Sequence, residues 1–332
     1  MVIVAPCPFA DDFTVTPDVE RALEAHVVHI VPDPVDAPQI LSSAEILVTG
    51  FENQAHDPLA YARVMPRLRW IHSLTAGLGS VASGEIARRD VLITNGAGAF
   101  AVGIAEYAFA SLVMLARGLP EVLLASASHR WQEHQLGWEL ADKQVGIIGF
   151  GGIGRRLAQL SAGAGMRVWA LARRPEMRDA GPAERVLGPS DLSHLLAESD
   201  AIVLCASLNP STHNMLGPQE FSRCKSGSLF VNVSRGDLVD EIALADALTS
   251  GPLAGAMIDV TACEPLAPNS PLWTVPNLWI TPHMAGGTLE SRARSLDRFL
   301  VNLRHFDAGQ FDRMTNVVDL IQEMSDSRPP TR

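Results

Sequence analysis

Val145-Gly-Ile-Ile-Gly-Phe-Gly-Gly-Ile-Gly154 is the stretch that decides the fold of this chain. An apolar run with strand character leads directly into Gly149, Gly151 and Gly154, which have G-x-G-x-x-G spacing. The residues that follow, 155–165, have the apolar periodicity of a helix. A strand, a glycine turn and a helix in this order form the start of a dinucleotide-binding unit. We therefore predict that a dinucleotide binds at this turn.

Each glycine of the turn has a physical role in this prediction. The first allows a tight turn, the second lets the backbone approach a pyrophosphate, and the third lets helix and strand pack closely. The pyrophosphate then lies against unpaired N–H groups at the positive end of the helix. Gly152 and Ile153 lie between the second and third glycines and are included among the predicted cofactor contacts. The chain has 26 glycines, so the alternative is a tight strand–helix turn that binds nothing.

Length and composition limit the classes of protein to consider. The chain has 332 residues, of which 47% are hydrophobic and 19% are charged, and its formal net charge is −11. This length favours about two globular domains. The acidic balance argues against a nucleic-acid partner or an anionic membrane surface, because both need a basic face. No apolar run approaches the length of a membrane-spanning helix, about 18 residues.

The cysteines and the first residues bear on the cellular compartment. Four cysteines are scattered without a C-x-x-C pair or metal-ligand spacing, so we predict neither a disulfide framework nor a metal site. Cys205 lies in an apolar run and is expected to be a small buried hydrophobic residue. Residues 1–6 have strand character and lack the pattern of a signal peptide. We therefore expect a cytoplasmic protein.

Strand-like runs alternate with helical patterns along the chain, which predicts parallel α/β architecture. Before the glycine turn the predicted strands are 2–5, 27–31, 46–49, 68–72 and 91–94, and the predicted helices are 18–25, 58–64, 81–88, 101–117 and one that follows Pro120. From the turn onward the predicted strands are 144–148, 167–171, 201–205, 228–233, 254–260 and 278–281, and a final helix covers 289–306. Prolines mark a loop over 32–38. Because the dinucleotide motif lies in the middle of the chain, this layout predicts a cofactor domain inserted into another domain.

Polar residues that could perform chemistry follow three of the later strands. Arg235, Glu264 and His283 each lie at the end of a separate strand, where ligands bind in open α/β sheets. An isolated arginine or histidine in such a place is more often a solvated or structural residue. Together, however, the three form a plausible set for reducing an oxo acid. The guanidinium can hold a carboxylate, the imidazole can donate a proton, and the Glu can orient the imidazole. Asp259, an acid inside an apolar strand, is expected to have a specific partner.

With these motifs the chain resembles the D-isomer-specific 2-hydroxyacid dehydrogenase family over nearly its whole length. The resemblance rests on the segments 73–77, 149–154, 232–241, 259–266 and 281–286. It assigns the catalytic roles to Arg235, Glu264 and His283 and places Asp259 at the nicotinamide carboxamide. It also implies that the loop Leu74-Thr75-Ala76-Gly77 binds the substrate carboxylate through backbone N–H groups.

The family fold is two Rossmann-like doubly wound domains, usually in a homodimer. On this basis we expect a discontinuous substrate domain of residues 1–98 and 288–332, and a cofactor domain of residues 99–287.

The sequence departs from the family pattern at the place where NAD-using members carry an acid for the ribose hydroxyls. That place falls near Ala172, and Arg173 and Arg174 follow it. Arginines there suit a 2′-phosphate, so we favour NADP(H), with NAD(H) as the alternative if the arginines are ordinary surface residues.

Other departures lie elsewhere in the chain. Gly79 stands where many relatives have Asp, and Tyr107 stands where a His is frequent, for which the sequence suggests no function. Trp131 and Trp138 could reach the active site of a neighbouring subunit or pack at a dimer interface.

The leading prediction is a reductase of a small 2-oxo acid, such as glyoxylate or hydroxypyruvate, that yields the D-2-hydroxy acid. One alternative is a dinucleotide-sensing protein of the corepressor type, although the chain has no evident long extra segment. Another is a phosphite or formate dehydrogenase. Formate enzymes pair the His with Gln, whereas this chain has Glu264. The choice of substrate depends on the loops 51–53 and 74–79, whose sequence does not name it.

Overall fold

The computed structural model describes residues 1–6, 23–50, 57–78, 81, 83–87, 89–133 and 137–320. These form two compact units, one of residues 1–100 and 287–332 and the other of residues 101–286. Several sequence predictions lie outside the described residues: most of the helix 18–25, the loop 51–53 and Gly79.

The first unit is built on a five-stranded parallel sheet in the order β2-β1-β3-β4-β5. Its strands are β1 Val2–Ala5, β2 Val27–Ile30, β3 Ile46–Thr49, β4 Trp70–Ser73 and β5 Leu92–Asn95, and its first helices are α1 Pro38–Ser43, α2 Pro58–Val64 and α3 Gly84–Ala87. Helix α2 begins where the side chain of Asp57 accepts the N–H of Leu59, with Pro58 in the first helical position. A cap followed by proline is a strong start signal, which is why the sequence predicted this helix correctly.

The second unit is built on a seven-stranded parallel sheet in the order β12-β11-β10-β9-β6-β7-β8. Its strands are β6 Gln144–Ile148, β7 Arg167–Leu171, β8 Arg185–Leu187, β9 Ala201–Leu204, β10 Ser228–Asn232, β11 Leu253–Ile258 and β12 Leu278–Ile280. Because β7 and β9 lie on opposite sides of β6, the chain reverses direction across the sheet at β6. Two parallel α/β sheets confirm the predicted doubly wound fold, and a ligand crevice is expected at this reversal.

Six α-helices lie in the described part of the second unit, and several of them pack against its sheet. They are α4 Ala101–Ala116, α5 Leu119–Ala127, α6 Gly152–Gly163, α7 Leu192–Glu198, α8 Pro218–Ser222 and α9 Glu241–Thr249. Helix α6 begins at Gly152, three residues earlier than predicted, because the glycine turn itself supplies the first helical residues. Within the described residues no single helix could cross a membrane by length and composition; α4 and α5 pass such a test only as a pair, bent by 77°.

The chain returns to the first unit through α10, Leu289–Asp307. Thr288 caps this helix by accepting the N–H of Ser291. The apolar face of α10, which includes Leu296, Phe299 and Leu303, packs against Trp70 and one face of the first sheet. Helix α10 therefore completes the core of the unit in which the chain began.

Candidate active site

The glycine turn after β6 contains three glycines that are required for different reasons. Gly149 has φ +104°, and a Cβ there would lie 2.6 Å from the backbone N of Ala206. A Cβ on Gly154 would lie 2.1 Å from the carbonyl oxygen of Gly149. A Cβ on Gly151 would have nothing within 4 Å. The fold itself therefore needs Gly149 and Gly154, whereas Gly151 lines open space into which a ligand could approach the backbone.

The start of α6 is suited to an anion. Its N-cap, Gly151, has no side chain to accept the first N–H groups, and the first helical turn contains no acid. The guanidinium of Arg155 lies 5.4 Å from the ring centre of Phe150, beside the same turn. Unpaired N–H groups, the positive end of the helix and a nearby cation together fit the pyrophosphate of a dinucleotide.

The end of β7 presents cations and no carboxylate. Ala172 is buried, and its N–H donates to the carbonyl of Leu187 on the neighbouring edge strand. Arg173 and Arg174 follow immediately and are exposed. The structure thus places two exposed guanidinium groups after the strand where a ribose-binding acid would stand.

Below the turn, the thiol of Cys205 donates to the carbonyl of Gly149 at 3.1 Å. Burial raises the pKa of this thiol to about 12. Cys205 therefore acts as a small packing residue under the glycine turn, as the sequence predicted.

The loop after β10 holds Arg235 at the sheet edge. Asn232, the last residue of the strand, accepts the N–H of Ser234 and donates to the carbonyl of Arg235. The guanidinium of Arg235 is exposed and donates to the carbonyl of Ser234 at 2.6 Å. Because Asn232 fixes the backbone on both sides, the loop directs Arg235 outward from the sheet.

Gly236 is required by close packing and not by its own backbone conformation. Its φ lies outside the left-handed region, so the turn itself does not require glycine. A Cβ on Gly236 would instead lie 2.0 Å from the carbonyl carbon of Thr261, in the loop after β11. The N–H of Ala262 in that loop donates to the carboxylate of Glu241, at the start of α9. Close backbone packing therefore joins the Arg235 loop to the loop that carries Glu264.

Glu264 and His283 form a hydrogen-bonded pair at the same edge. Their Oε2 and Nδ1 atoms are 2.7 Å apart, and the other Glu264 oxygen accepts the N–H of Thr261 at 3.1 Å. Because an ionised carboxylate can only accept, Nδ1 must carry the proton. The side chains of His283 and Glu264 are 43% and 25% exposed. This arrangement leaves Nε2 of His283 as the atom that can exchange a proton with a ligand.

Asp259, at the end of β11, has the specific partners that the sequence predicted. It is 2% exposed, and its carboxylate accepts from the hydroxyl of Thr281 at 2.6 Å and from the N–H groups of Met284 and Ala285 at 2.9 and 2.8 Å. A carboxylate can accept about four hydrogen bonds, so Asp259 can accept one more in addition to these three. These bonds of Asp259 therefore hold residues 281–285 in place in the protein without a bound cofactor.

The first unit contains the loop predicted to bind a substrate carboxylate. All four backbone carbonyls of this loop accept hydrogen bonds. The donors are Ser295 to Leu74, Gly96 to Thr75, Asn95 to Ala76 and Ser73 to Gly77. By contrast, the N–H groups of residues 75–77 donate to no atom in the described part of the chain. A loop with its carbonyls fixed and successive N–H groups free has the chemistry of an anion-binding loop.

Two tryptophans and a tyrosine complete the site residues that the sequence singled out. Trp131 is 98% exposed, whereas Trp138 packs against the core of the second unit. Tyr107 of α4 forms a 2.5 Å hydrogen bond with Thr281, a partner that the sequence gave no means of finding because 174 residues separate the two. Among the described residues no group of three or more His, Cys, Asp or Glu side chains is arranged to hold a metal.

Comparison with known proteins defines the class to which this fold and site belong. A model of the "D-isomer specific 2-hydroxyacid dehydrogenase, NAD binding domain" matches residues 109–285. A "Glyoxylate reductase" of Korarchaeum cryptofilum is 32% identical over 272 residues, and one of Thermococcus litoralis is 33% identical over 275 residues; each match covers 80% of both chains.

Solved structures agree with this result. A D-isomer specific 2-hydroxyacid dehydrogenase family protein from Aeromonas salmonicida superposes with a TM-score of 0.81 at 29% identity, covering 96% of this chain and 99% of that one. A family member from Xanthobacter autotrophicus, in complex with NADPH and MES, has a TM-score of 0.76 at 26% identity, covering 97% and 99%. The D-lactate dehydrogenase of Aquifex aeolicus, complexed with NAD and lactic acid, has a TM-score of 0.79 at 25% identity, covering 96% and 99%.

The chain belongs to the D-isomer specific 2-hydroxyacid dehydrogenase family, which confirms the resemblance seen in the sequence. Its activity is that of an NAD(P)-dependent 2-hydroxyacid dehydrogenase, which acts on small 2-hydroxy or 2-oxo acids.

Proposed function

We propose that the protein is an NADPH-dependent reductase that converts a small 2-oxo acid of the glyoxylate or hydroxypyruvate type to the D-2-hydroxy acid. The observation that carries this proposal is the 2.7 Å pair of His283 and Glu264 at the carboxyl edge of a sheet whose glycine turn is open at Gly151. The relatives named glyoxylate reductase support the substrate class.

The glycine turn and its surroundings fit a nicotinamide dinucleotide. Gly149, Gly151, Gly152, Ile153 and Gly154 would hold the pyrophosphate at the start of α6. The bound dinucleotide supplies a hydride for C2 of the substrate. Asp259 would offer its remaining acceptor position to the carboxamide, as the family resemblance implies.

The exposed guanidinium groups of Arg173 and Arg174 support a preference for NADPH. Guanidinium groups bind phosphate in a two-pronged geometry, whereas a ribose with free hydroxyls is usually bound by a carboxylate. The buried Ala172 offers no such carboxylate. NADH remains the alternative, and solved relatives with each cofactor are known.

In the proposed reaction the protein residues bind, orient and protonate the substrate. Arg235 holds the carboxylate and polarises the C2 carbonyl. For the loop 74–77 of the first unit, the family resemblance implies a role in binding the substrate carboxylate, and backbone N–H groups of the kind found at residues 75–77 suit an anion. As C2 receives the hydride, Nε2 of His283 donates a proton to the carbonyl oxygen, which yields the hydroxyl. Glu264 holds Nδ1–H and keeps the imidazole in the orientation that this transfer needs.

We further propose that the protein acts as a homodimer. Leu123, Leu124 and Trp131 are exposed apolar side chains on α5 and the segment that follows it. Several exposed large apolar side chains within one stretch of the chain are typical of a protein–protein contact. A second copy of the chain is the occupant that the family resemblance suggests.

The proposal is tested by following the absorbance of reduced nicotinamide with NADPH or NADH and a panel of 2-oxo acids. We expect turnover that favours NADPH. Turnover that favours NADH would keep the reaction but reject the role of Arg173 and Arg174. Cofactor binding without turnover of any 2-oxo acid would favour a dinucleotide-sensing protein instead.

The role of His283 is tested by His283→Ala. We expect a loss of about 100- to 10,000-fold in kcat, the usual contribution of a general acid, with cofactor affinity nearly unchanged. Ser111→Ala, a substitution of a buried serine in α4 without a proposed catalytic role, serves as the control. Full activity of the His283→Ala enzyme would reject the proposed mechanism.

A further inference from the structure

Tyr107, Thr281 and Asp259 are joined by two hydrogen bonds that the reaction described above does not use. The tyrosine hydroxyl lies 2.5 Å from the threonine hydroxyl, which lies 2.6 Å from the carboxylate. We call these two bonds the hydroxyl bridge. The bridge links α4 to the end of β11 by way of the residue that follows β12.

The chemistry of the groups fixes the direction of both bonds. The carboxylate of Asp259 can only accept, so the single proton of the Thr281 hydroxyl is donated to it. Tyr107 must then donate its own proton to the threonine oxygen. Burial raises the pKa of Tyr107 above its ordinary value, and the charge of Asp259 acts in the same direction, while the hydrogen bond to Thr281 opposes it. The tyrosine therefore remains a donor at neutral pH.

Asp259 transmits this constraint to the backbone around His283. Its carboxylate accepts the N–H groups of Met284 and Ala285, and its backbone carbonyl accepts the N–H of His283 at 2.8 Å. His283 has φ +53°, a left-handed conformation that costs a non-glycine residue about 1–2 kcal/mol. The three bonds to Asp259 hold the backbone in this conformation, and the conformation determines where the imidazole projects.

Along the sequence, Tyr107 and Thr281 each lie a few residues from a point where the chain passes between the two units. Helix α4 starts at the first passage, between residues 100 and 101, and Tyr107 is in its second turn. Ala285 lies just before the second passage, between residues 286 and 287. The bridge therefore fixes, within the second unit, the segment that carries His283 and then leaves that unit.

We propose that Tyr107 is a positioning residue: through the hydroxyl bridge it holds Asp259 and the 283–285 backbone so that His283 points to the substrate. This inference rests on the proposed role of His283 in the reaction. It gives a function to the tyrosine for which the sequence suggested none.

The test uses Tyr107→Phe, which removes one hydroxyl and keeps the ring. We expect kcat to fall by about 3- to 10-fold, the equivalent of one hydrogen bond. Hydrogen exchange of the Met284 and Ala285 amides should accelerate by a similar factor. The control is Tyr61→Phe, because it removes the same hydroxyl from a buried tyrosine that donates to the carbonyls of Val31 and Pro32 in the first unit and takes no part in the bridge. It should change neither quantity.

A second variant separates the bridge from general effects on α4. Thr281→Val removes the middle hydroxyl, so adding Tyr107→Phe to it should cause no further loss of kcat, whereas Thr281→Ser should restore the wild-type values. Additive losses in the double variant, or wild-type exchange in Tyr107→Phe, would overturn the proposal. Faster exchange with unchanged kcat would also overturn it, since the bridge would then not position the reacting group.

The exchange measurement does not depend on turnover. Full activity of His283→Ala would reject the proposed reaction mechanism and, with it, the positioning role. The exchange rates would still report whether the bridge holds the loop.

Discussion

Two glycines of the turn, Gly154 and Gly151, make a sharp prediction, because alanine should have a different effect at each. In Gly154→Ala the new Cβ would lie 2.1 Å from the Gly149 carbonyl oxygen, so the turn and α6 must separate by about 1 Å or more. Overpacking of this kind costs about 1–3 kcal/mol. The better helix propensity of alanine offsets less than about 1 kcal/mol of this. A net destabilisation of about 1–2 kcal/mol is therefore expected without any ligand.

Gly151→Ala should behave in the opposite way. Gly151 has φ −85° and ψ −154°, which alanine adopts readily, and its Cβ would have nothing within 4 Å. Alanine is a poorer N-cap than glycine by up to about 1 kcal/mol, but it also reduces the entropy of the unfolded chain by about 0.4–1 kcal/mol. These terms nearly cancel, so the stability of the free protein should change by less than about 0.5 kcal/mol. The added methyl should instead obstruct the pyrophosphate and weaken cofactor binding by about tenfold or more.

The assay combines urea unfolding of the free protein with titration of each variant by NADPH. Gly154→Ala should lower the free energy of unfolding, and Gly151→Ala should lower mainly the cofactor affinity. If Gly151→Ala binds cofactor as tightly as the wild type, the open space at this glycine is not where the dinucleotide lies. If it is as unstable as Gly154→Ala, the packing argument itself is wrong.

Two further predictions concern the catalytic loops and the first sheet. Gly236→Ala should lower kcat by about 100-fold, because its Cβ would push the Arg235 loop away from the backbone of Thr261; wild-type kcat in the folded variant would reject this. His72 is fully buried and its pKa is lowered to about 3 by burial, so the unfolded state, with its pKa near 6.5, binds the proton more readily. The contribution of neutral His72 to the free energy of unfolding should therefore be fully present above pH 6.5 and fall toward pH 3 by up to about 4–5 kcal/mol. Urea unfolding of the wild type and of His72→Phe at pH 7 and pH 5 checks this, and the variant should lose less stability over that interval.

Most strands were predictable from sequence because both sheets are parallel and their central strands are buried along their whole length. Such strands form continuous apolar runs, and the predicted limits of β3, β6 and β7 match the structure residue for residue. Strand β8 was missed because it has three residues, none of them buried. Helices α7 and α8 are too short to show a clear helical period.

Helix α9 was not among the predicted helices, although its sequence contains a start signal. Asp240 is its N-cap and accepts the N–H groups of Ile242 and Ala243. The buried residues Leu244, Ala247 and Leu248 follow at helical spacing. A cap followed by this spacing predicts a helix.

The residues of the candidate site were predictable only where the local sequence around each one was enough to identify it. Arg235, Glu264 and His283 are polar groups at the ends of apolar strands, and each is recognisable within its own segment. The bond between Tyr107 and Thr281 depends on α4 packing beside the end of β12, which no local pattern records. The requirement for glycine at position 236 is likewise not visible in its own segment, because it comes from the backbone of another loop and not from its own φ.

The loops that follow β10, β11 and β12 hold their exposed catalytic side chains in place by the same kind of hydrogen bond. In each, a side chain near the strand end bonds to loop backbone: Asn232 fixes residues 234 and 235, Glu264 accepts the N–H of Thr261, and Asp259 holds residues 284 and 285. Backbone groups at strand ends lack ladder partners and must be satisfied locally. Here the side chains that satisfy them also set the direction of Arg235 and His283, so the same bonds that complete the fold orient the reacting groups.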